Sequence, residues 1–261
     1  MKVLVLGAGK MTEALLLGLK GEVDMSSWGI FSPSGTRAKA LAEKLGAQFV
    51  ANVQDFKNPE CLLVGCKPQQ LQDLKVIIGD SFKDVLVVSM LAALSEKDQL
   101  KILDAHKLVR IMPNLPVKVK AGVILMASSS ASDKLNFFAD FFSSLGTIKI
   151  VQENELEELT LLTGSGPAFF FEFAIELSRL SRSLSLTERE SLARKVLEGA
   201  GMMMTQDQES LSTHVNNVTS KGGVTIAVLE KWRELQWGEL LKKGIERGTE
   251  RIQEIRESLR K

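Results

Sequence analysis

Residues 3–19, VLVLGAGKMTEALLLGL, decide the fold. Val3 to Leu6 form an uninterrupted apolar run, as in a strand covered on both faces. Gly7 and Gly9 follow directly, and a segment of helical period over 10–20 comes next. Strand, glycine turn and helix in this order make a dinucleotide-binding turn, which an isolated Gly-x-Gly pair would not. In such a turn Gly7 permits the tight bend, and Gly9 lets backbone approach a pyrophosphate. The helix N-terminus beyond offers unpaired N–H groups and a partial positive charge. The third glycine of the Gly-x-Gly-x-x-Gly pattern is replaced by Thr12. That position mainly serves helix-to-strand packing, so the turn is expected to survive. The first helix should then stand slightly outward, with the Thr12 hydroxyl bonded to a carbonyl one turn back.

Outward from this stretch, short apolar runs alternate with helical segments, which is the pattern of repeated β-α units. Strands are expected near 2–6, 28–31, 61–66, 85–89, 108–112, 122–126 and 147–151. Helices are expected near 10–20, 35–45, 68–79, 95–105 and 132–145. After Val151 no further β-branched run bounded by turns appears, and long helical patterns take over. In the segment SLTERESLARKVLEGAGMMM, Ser185 or Thr187 can cap a helix whose first turn holds Glu188 or Glu190. The division is therefore an α/β domain with a mostly parallel sheet over residues 1–150 and an all-α domain over residues 151–261. A chain of 261 residues is near the size at which one core gives way to two.

Charge is almost balanced, with 33 basic and 32 acidic residues, so neither nucleic acid nor a membrane surface is an expected partner. No apolar run approaches bilayer-spanning length. The start lacks the pattern of a signal peptide, and a cytoplasmic location is the expectation. Cys61 and Cys66 flank an apolar segment and read as buried reduced thiols. No metal site is expected.

The second expected strand ends in FSPSGTR. No carboxylate lies between Ser26 and Ala42, where an NAD enzyme would hold its ribose diol. Ser32 and Ser34 can donate to a phosphate, and Arg37 adds a fixed charge suited to a 2′-phosphate. NADPH is the preferred cofactor, with NADH as the alternative. Farther on, VTSKGGVTIAVLEKW at 218–232 leads a donor-rich, glycine-containing loop into a helix. The N–H groups around Gly223 and Val224, with the Ser220 and Thr225 hydroxyls, can form a carboxylate nest. An ordinary helix cap is the competing reading of the same residues.

Five motifs in order (Gly7-x-Gly9-x-Met11, Lys67-Pro68, RIMPNLP at 110–116, GSGPA at 164–168 and VTSKGGVT at 218–225) resemble the pyrroline-5-carboxylate reductase family over the whole chain. The resemblance implies an N-terminal Rossmann domain and a C-terminal helical dimerisation domain. It implies reduction of the cyclic imine 1-pyrroline-5-carboxylate to L-proline by NAD(P)H, the last step of proline biosynthesis. It assigns the pyrophosphate to Gly7, Ala8, Gly9, Lys10 and Met11, and the adenosine phosphate to Ser32, Ser34 and Arg37. Asn52 falls near the adenosine ribose, and Cys66, Lys67 and Pro68 on a turn beside the cofactor. Met112, Pro113 and Asn114 fall on the nicotinamide side. Ser220, Gly222, Gly223, Val224 and Thr225 fall on the substrate loop, with Thr225 as the donor to the ring nitrogen. An imine needs only a hydride at carbon and a proton at nitrogen, so positioning should supply most of the catalysis.

Lys221, Val224 and Leu115 depart from the residues usual in that family. Lys221 fixes φ less than proline would but brings a cation toward a carboxylate. His214 reads as a surface or capping histidine, and His106 as structural. Met202 to Met204 read as helix-interface residues. The helix bearing Phe169, Phe170, Phe171 and Phe173 is apolar all round, which points to a homodimer or a ring of such dimers. The rival readings are a β-hydroxyacid dehydrogenase type of reductase and a non-catalytic NADPH-binding sensor.

Overall fold

The computed structural model describes residues 1–206 and 209–260. Asp207, Gln208 and Lys261, which fall inside the expected helical domain, lie outside the described residues. Two compact units are present, one formed by residues 1–167 together with the chain from Thr249 onward, the other by Ala168–Gly248.

The first unit is built on β1 (Val3–Leu6), β2 (Gly29–Phe31), β3 (Gln48–Phe49), β4 (Cys61–Val64), β5 (Leu86–Ser89), β6 (Leu108–Pro113), β7 (Gly122–Ala127) and β8 (Gly146–Ile150). They make one eight-stranded sheet in the order β3-β2-β1-β4-β5-β6-β7-β8. Every neighbouring pair is parallel except β6 and β7. The order reverses between β1 and β4, and in open α/β sheets the crevice for a ligand lies at such a reversal.

Alternation along β1 explains its unbroken apolar run. Val3 and Val5 enter a core with α1 (Lys10–Leu19), α2 (Thr36–Leu45) and Phe138 and Phe142 of α5 (Leu135–Phe142). Leu4 and Leu6 enter the opposite core with α3 (Leu71–Ile78) and Leu103 of α4 (Glu96–Leu103). Helices thus cover both faces, the three-layer arrangement that a continuous hydrophobic strand requires.

Most expected elements appear within a few residues of their positions. The expected helix over 68–79 begins as a 3-10 turn at Pro68–Gln70 before α3, because proline at the first turn gives up an N–H that no helix bond would use. The two-residue edge strand β3 is an addition, too short to leave a pattern in the sequence. The link from β6 to β7 is a 3-10 turn at Leu115–Val119 rather than a crossover helix. So short a link allows only the antiparallel return.

Beyond α6 (Leu156–Thr163) the chain is helical: α7 (Gly166–Arg179), α8 (Leu186–Gln206), α9 (Leu211–Asn217), α10 (Val224–Glu234) and α11 (Trp237–Arg260). Ser185 and Glu188 form the expected cap reciprocally. The Glu188 N–H donates to Ser185 Oγ at 3.4 Å, and the Ser185 N–H donates to Glu188 Oε2 at 2.9 Å. In the second unit Phe173 packs edge-on to Trp232 at 6.2 Å. Phe169, Phe170 and Phe171 remain exposed in the single chain, as do Met202, Met203 and Met204. Among the described residues no helix is long and apolar enough to cross a membrane.

Candidate functional site

Gly7 closes β1 with φ of +110°, a conformation that L side chains rarely adopt. Its N–H donates to Phe31 O at 2.9 Å, and the Gly65 N–H donates to Leu6 O at 2.9 Å, tying the ends of β2, β1 and β4 together. A Cβ on Gly7 would meet the carbonyl of Gly65 and the amide nitrogen of Cys66 at 2.8 Å. Gly9 differs. A Cβ there would meet nothing nearer than Gly65 O at 3.8 Å, so the protein itself does not demand glycine at this position. Gly9 is the N-cap of α1 and provides no side-chain cap, which leaves the first-turn amides from Lys10 onward without helical acceptors. Ala8 is buried, Met11 half-buried and Lys10 exposed. A backbone cradle left open at an uncapped helix N-terminus fits a pyrophosphate.

Thr12 is fully buried, and its hydroxyl turns across to Gly65 O at 3.5 Å. The expected bond to its own helix is not made. The space comes from the facing strand end, where Gly65 carries no side chain.

At the end of β2 a tight turn is held by the Gly35 N–H donating to Ser32 O at 2.9 Å and the Thr36 N–H donating to Ser34 O at 2.8 Å. The Ser32 hydroxyl is buried without a hydrogen-bond partner. Buried polar groups are normally satisfied, so this orphan fits a phosphate or ribose oxygen at the turn. Ser34 and Arg37 are exposed beside it, and the first turn of α2 contains no acidic residue. Asn52 is exposed, and its Oδ1 accepts from the Gln54 N–H at 3.1 Å, capping the next 3-10 turn.

After β4, Cys66 and Pro68 are half-buried and Lys67 is exposed. The Lys67 N–H donates to Gln70 Oε1 at 3.1 Å, fixing the turn. Burial pushes the Cys66 thiol up to about 11 and the Cys61 thiol up to about 12, so neither is a thiolate near neutral pH. At the end of β6, Met112 and Pro113 are buried. Asn114 is a structural clamp: its Nδ2 donates to Thr163 O at 3.0 Å, and its Oδ1 accepts from the Val123 N–H at 2.8 Å. These stretches all lie at the C-terminal edge of the parallel strands.

Two buried charges away from this edge were not expected, Arg110 within β6 and Glu96 beside the residues that follow β7. Arg110 is 1% exposed, with Nη1 on Glu153 Oε1 at 2.6 Å and Nη2 donating to Leu91 O at 3.1 Å. An arginine inside the apolar run LVRIM was the available signal for a buried partner. Glu96 accepts from the Ser129 and Ser130 N–H groups, each at 2.8 Å, and from their hydroxyls. Burial pushes the Glu96 carboxyl up, but the bonds from Ser130 and Ser129 together outweigh it and hold it below its usual 4.5. A lowered folded-state value gives stability that is present above 4.5 and lost as pH falls through that lowered value. The melting-temperature gap between the native chain and Glu96→Gln is therefore expected to shrink as pH falls from neutrality through the carboxylate range. A gap that stays constant would contradict this.

The expected substrate loop lies in the second unit. Gly222 has φ of +73°, and Gly223 is the N-cap of α10 without a side-chain cap. The Gly223 N–H donates to Ser220 O at 2.9 Å. A Cβ on Gly223 would sit 2.4 Å from Ser220 Oγ, so the serine side chain folds under the helix start. Ser220, Lys221, Val224 and Thr225 are exposed around these uncapped amides. His214 is half-buried in α9, and His106 pairs with Asp84 at the surface at 3.0 Å.

The family profile described as "Pyrroline-5-carboxylate reductase dimerisation" matches residues 153–255, and "NADP oxidoreductase coenzyme F420-dependent" matches residues 2–93. A pyrroline-5-carboxylate reductase of Synechocystis sp. is 31% identical over 242 residues, 87% of this chain and 89% of that one. The enzyme of that name in Haemophilus influenzae is 28% identical over 259 residues, 96% of both chains. The solved structure of Plasmodium falciparum pyrroline carboxylate reductase with NADP bound has a TM-score of 0.85 at 19% identity, covering 98% of each chain. At that identity the likeness concerns the fold alone.

Proposed function

This chain belongs to the pyrroline-5-carboxylate reductase family, and on that premise we propose that it reduces 1-pyrroline-5-carboxylate to L-proline, using NADPH in preference to NADH. The observation that carries the reading is the backbone cradle at Gly7 and Gly9. It stands at the sheet's switch point with an uncapped helix behind it and the orphaned Ser32 hydroxyl at the neighbouring strand end.

We assign cofactor binding to residues 1–150, and substrate binding and dimerisation to residues 151–261. The Gly7–Met11 backbone holds the pyrophosphate. Ser32, Ser34 and Arg37 hold the 2′-phosphate, with Asn52 near the ribose. Cys66, Lys67 and Pro68 border the cofactor, and Met112, Pro113 and Asn114 shape the nicotinamide side. The nicotinamide supplies the hydride when bound. The Gly223 and Val224 amides, with Ser220 and Gly222, hold the substrate carboxylate. The Thr225 hydroxyl hydrogen-bonds the ring nitrogen and orients the imine as that nitrogen gains its proton. The apolar helix faces bearing Phe169 to Phe171 and Met202 to Met204 are buried in a homodimer, and the enzyme works in the cytoplasm.

Purified protein should consume NADPH only when the imine is present, and a panel of hydroxy and keto acids should stay inert. Cofactor binding without turnover would identify a sensor, and turnover of a hydroxy acid a different reductase. Thr225→Ala is expected to lower kcat about tenfold, the scale of one lost hydrogen bond, with NADPH affinity unchanged. Arg37→Ala is expected to weaken NADPH about tenfold and leave NADH alone, since only the former carries the 2′-phosphate. Equal losses for both cofactors would remove Arg37 from that role.

A further inference from the structure

We propose that Thr12 and Gly65 are a complementary pair that sets the position of the Gly7–Gly9 turn, which makes Thr12 a positioning residue for the pyrophosphate. The inference rests on the cofactor reading above. It concerns residues at the ends of β1, β4 and β5 and the start of α1.

A Cβ built on Gly65 would lie 2.2 Å from Thr12 Oγ1, 2.7 Å from Met90 Cε and 3.4 Å from Thr12 Cβ. Space withheld at residue 65 is thus filled from residue 12, which is fully buried. The same Gly65 peptide supports the turn on its other side. Its carbonyl carbon and oxygen and the Cys66 nitrogen all stand 2.8 Å from where a Cβ on Gly7 would be. The Gly65–Cys66 peptide group is therefore held between Gly7 and Thr12, and the N–H of the peptide group before it, that of Gly65, ties the strand end to Leu6 O at 2.9 Å.

At 3.5 Å the contact from the Thr12 hydroxyl to Gly65 O is too long to act as a strong hydrogen bond. Packing carries the effect. Threonine suits it because a β-branched side chain has little χ1 freedom with which to move aside. Where the usual dinucleotide turn brings helix and strand together through a small residue on the helix, this chain places the small residue on the strand.

The test is a double-mutant cycle read in two ways, by NADPH titration of each variant and by thermal melting of the cofactor-free protein. Gly65→Ala is expected to weaken NADPH more than tenfold, and Thr12→Ala about threefold. The Thr12→Ala/Gly65→Ala chain should return to within about threefold of the native, because the remaining Cβ to Cβ approach of 3.4 Å is ordinary contact and Met90 Cε ends a flexible side chain. A double variant no better than Gly65→Ala overturns the pairing. Coupling in melting without coupling in affinity overturns the positioning role, since that is all simple packing would give. If Gly65→Ala does not fold, a folded, NADPH-binding double variant supports the pair, and a double variant that also fails overturns it. A native chain that binds neither NADPH nor NADH overturns the cofactor reading and the positioning role with it, while the melting cycle alone still decides whether the two residues are complementary.

Discussion

Gly7→Ala is expected to lower NADPH affinity at least a hundredfold and to destabilise the fold. The backbone at residue 7 sits at φ of +110°, where an L side chain costs roughly 1–3 kcal/mol. The new methyl would also meet three backbone atoms of the Gly65–Cys66 peptide at 2.8 Å. No rotamer change relieves a collision with backbone, so the turn or the end of β4 must move. A hundredfold loss corresponds to about 2.7 kcal/mol, within reach of a displacement that pulls several amides off a pyrophosphate. Gly9→Ala is the informative comparison. Its methyl would approach only Gly65 O, at 3.8 Å, so melting should stay near native while affinity falls, because the added atom fills space left for the ligand. Titration and melting of the two variants separate these outcomes. Equal melting losses for both would mean that the two glycines serve the fold in the same way.

Glu153→Met is expected to cost about 2 kcal/mol in denaturant unfolding. Breaking one side of a fully buried ion pair costs roughly 3–5 kcal/mol, but the Glu153 side chain is 34% exposed, and water screens part of the loss. Arg110 would keep only its bond to Leu91 O. The Glu96 N–H, which donates to Glu153 Oε1 at 2.9 Å, would lose its acceptor at the start of α4 as well. Replacing both charges, as in Arg110→Met/Glu153→Met, should recover most of the loss, because neither charge is then left without its partner. A double variant less stable than Glu153→Met would show that the charges contribute more together than their removal as a pair suggests.

The glycine turn was legible because its signal is local: an apolar run, two glycines and a helical segment within a few residues. The missing carboxylate after β2 was legible for the same reason. The Thr12 environment is not legible in the same way, because the carbonyl that its hydroxyl faces is not one turn back in the same helix but 53 residues away. Asn114 is expected on the nicotinamide side from its motif, and what the fold adds is that its side chain clamps Thr163 and Val123, which no motif reveals.

The sequence by itself determined the β-α alternation, the position of the dinucleotide turn, the change to helices after the sheet and the family. Each is written in periodicity or in short motifs whose residues are neighbours in the chain. Tertiary structure alone decided that Arg110 meets Glu153 across 43 residues and that Glu96 reaches Ser130 across 34. It also decided that an absent side chain at Gly65 makes room for Thr12. Steric fit and charge pairing between distant segments exist only once the sheet has brought those segments together, so the sequence can flag a residue such as Arg110 but cannot name its partner.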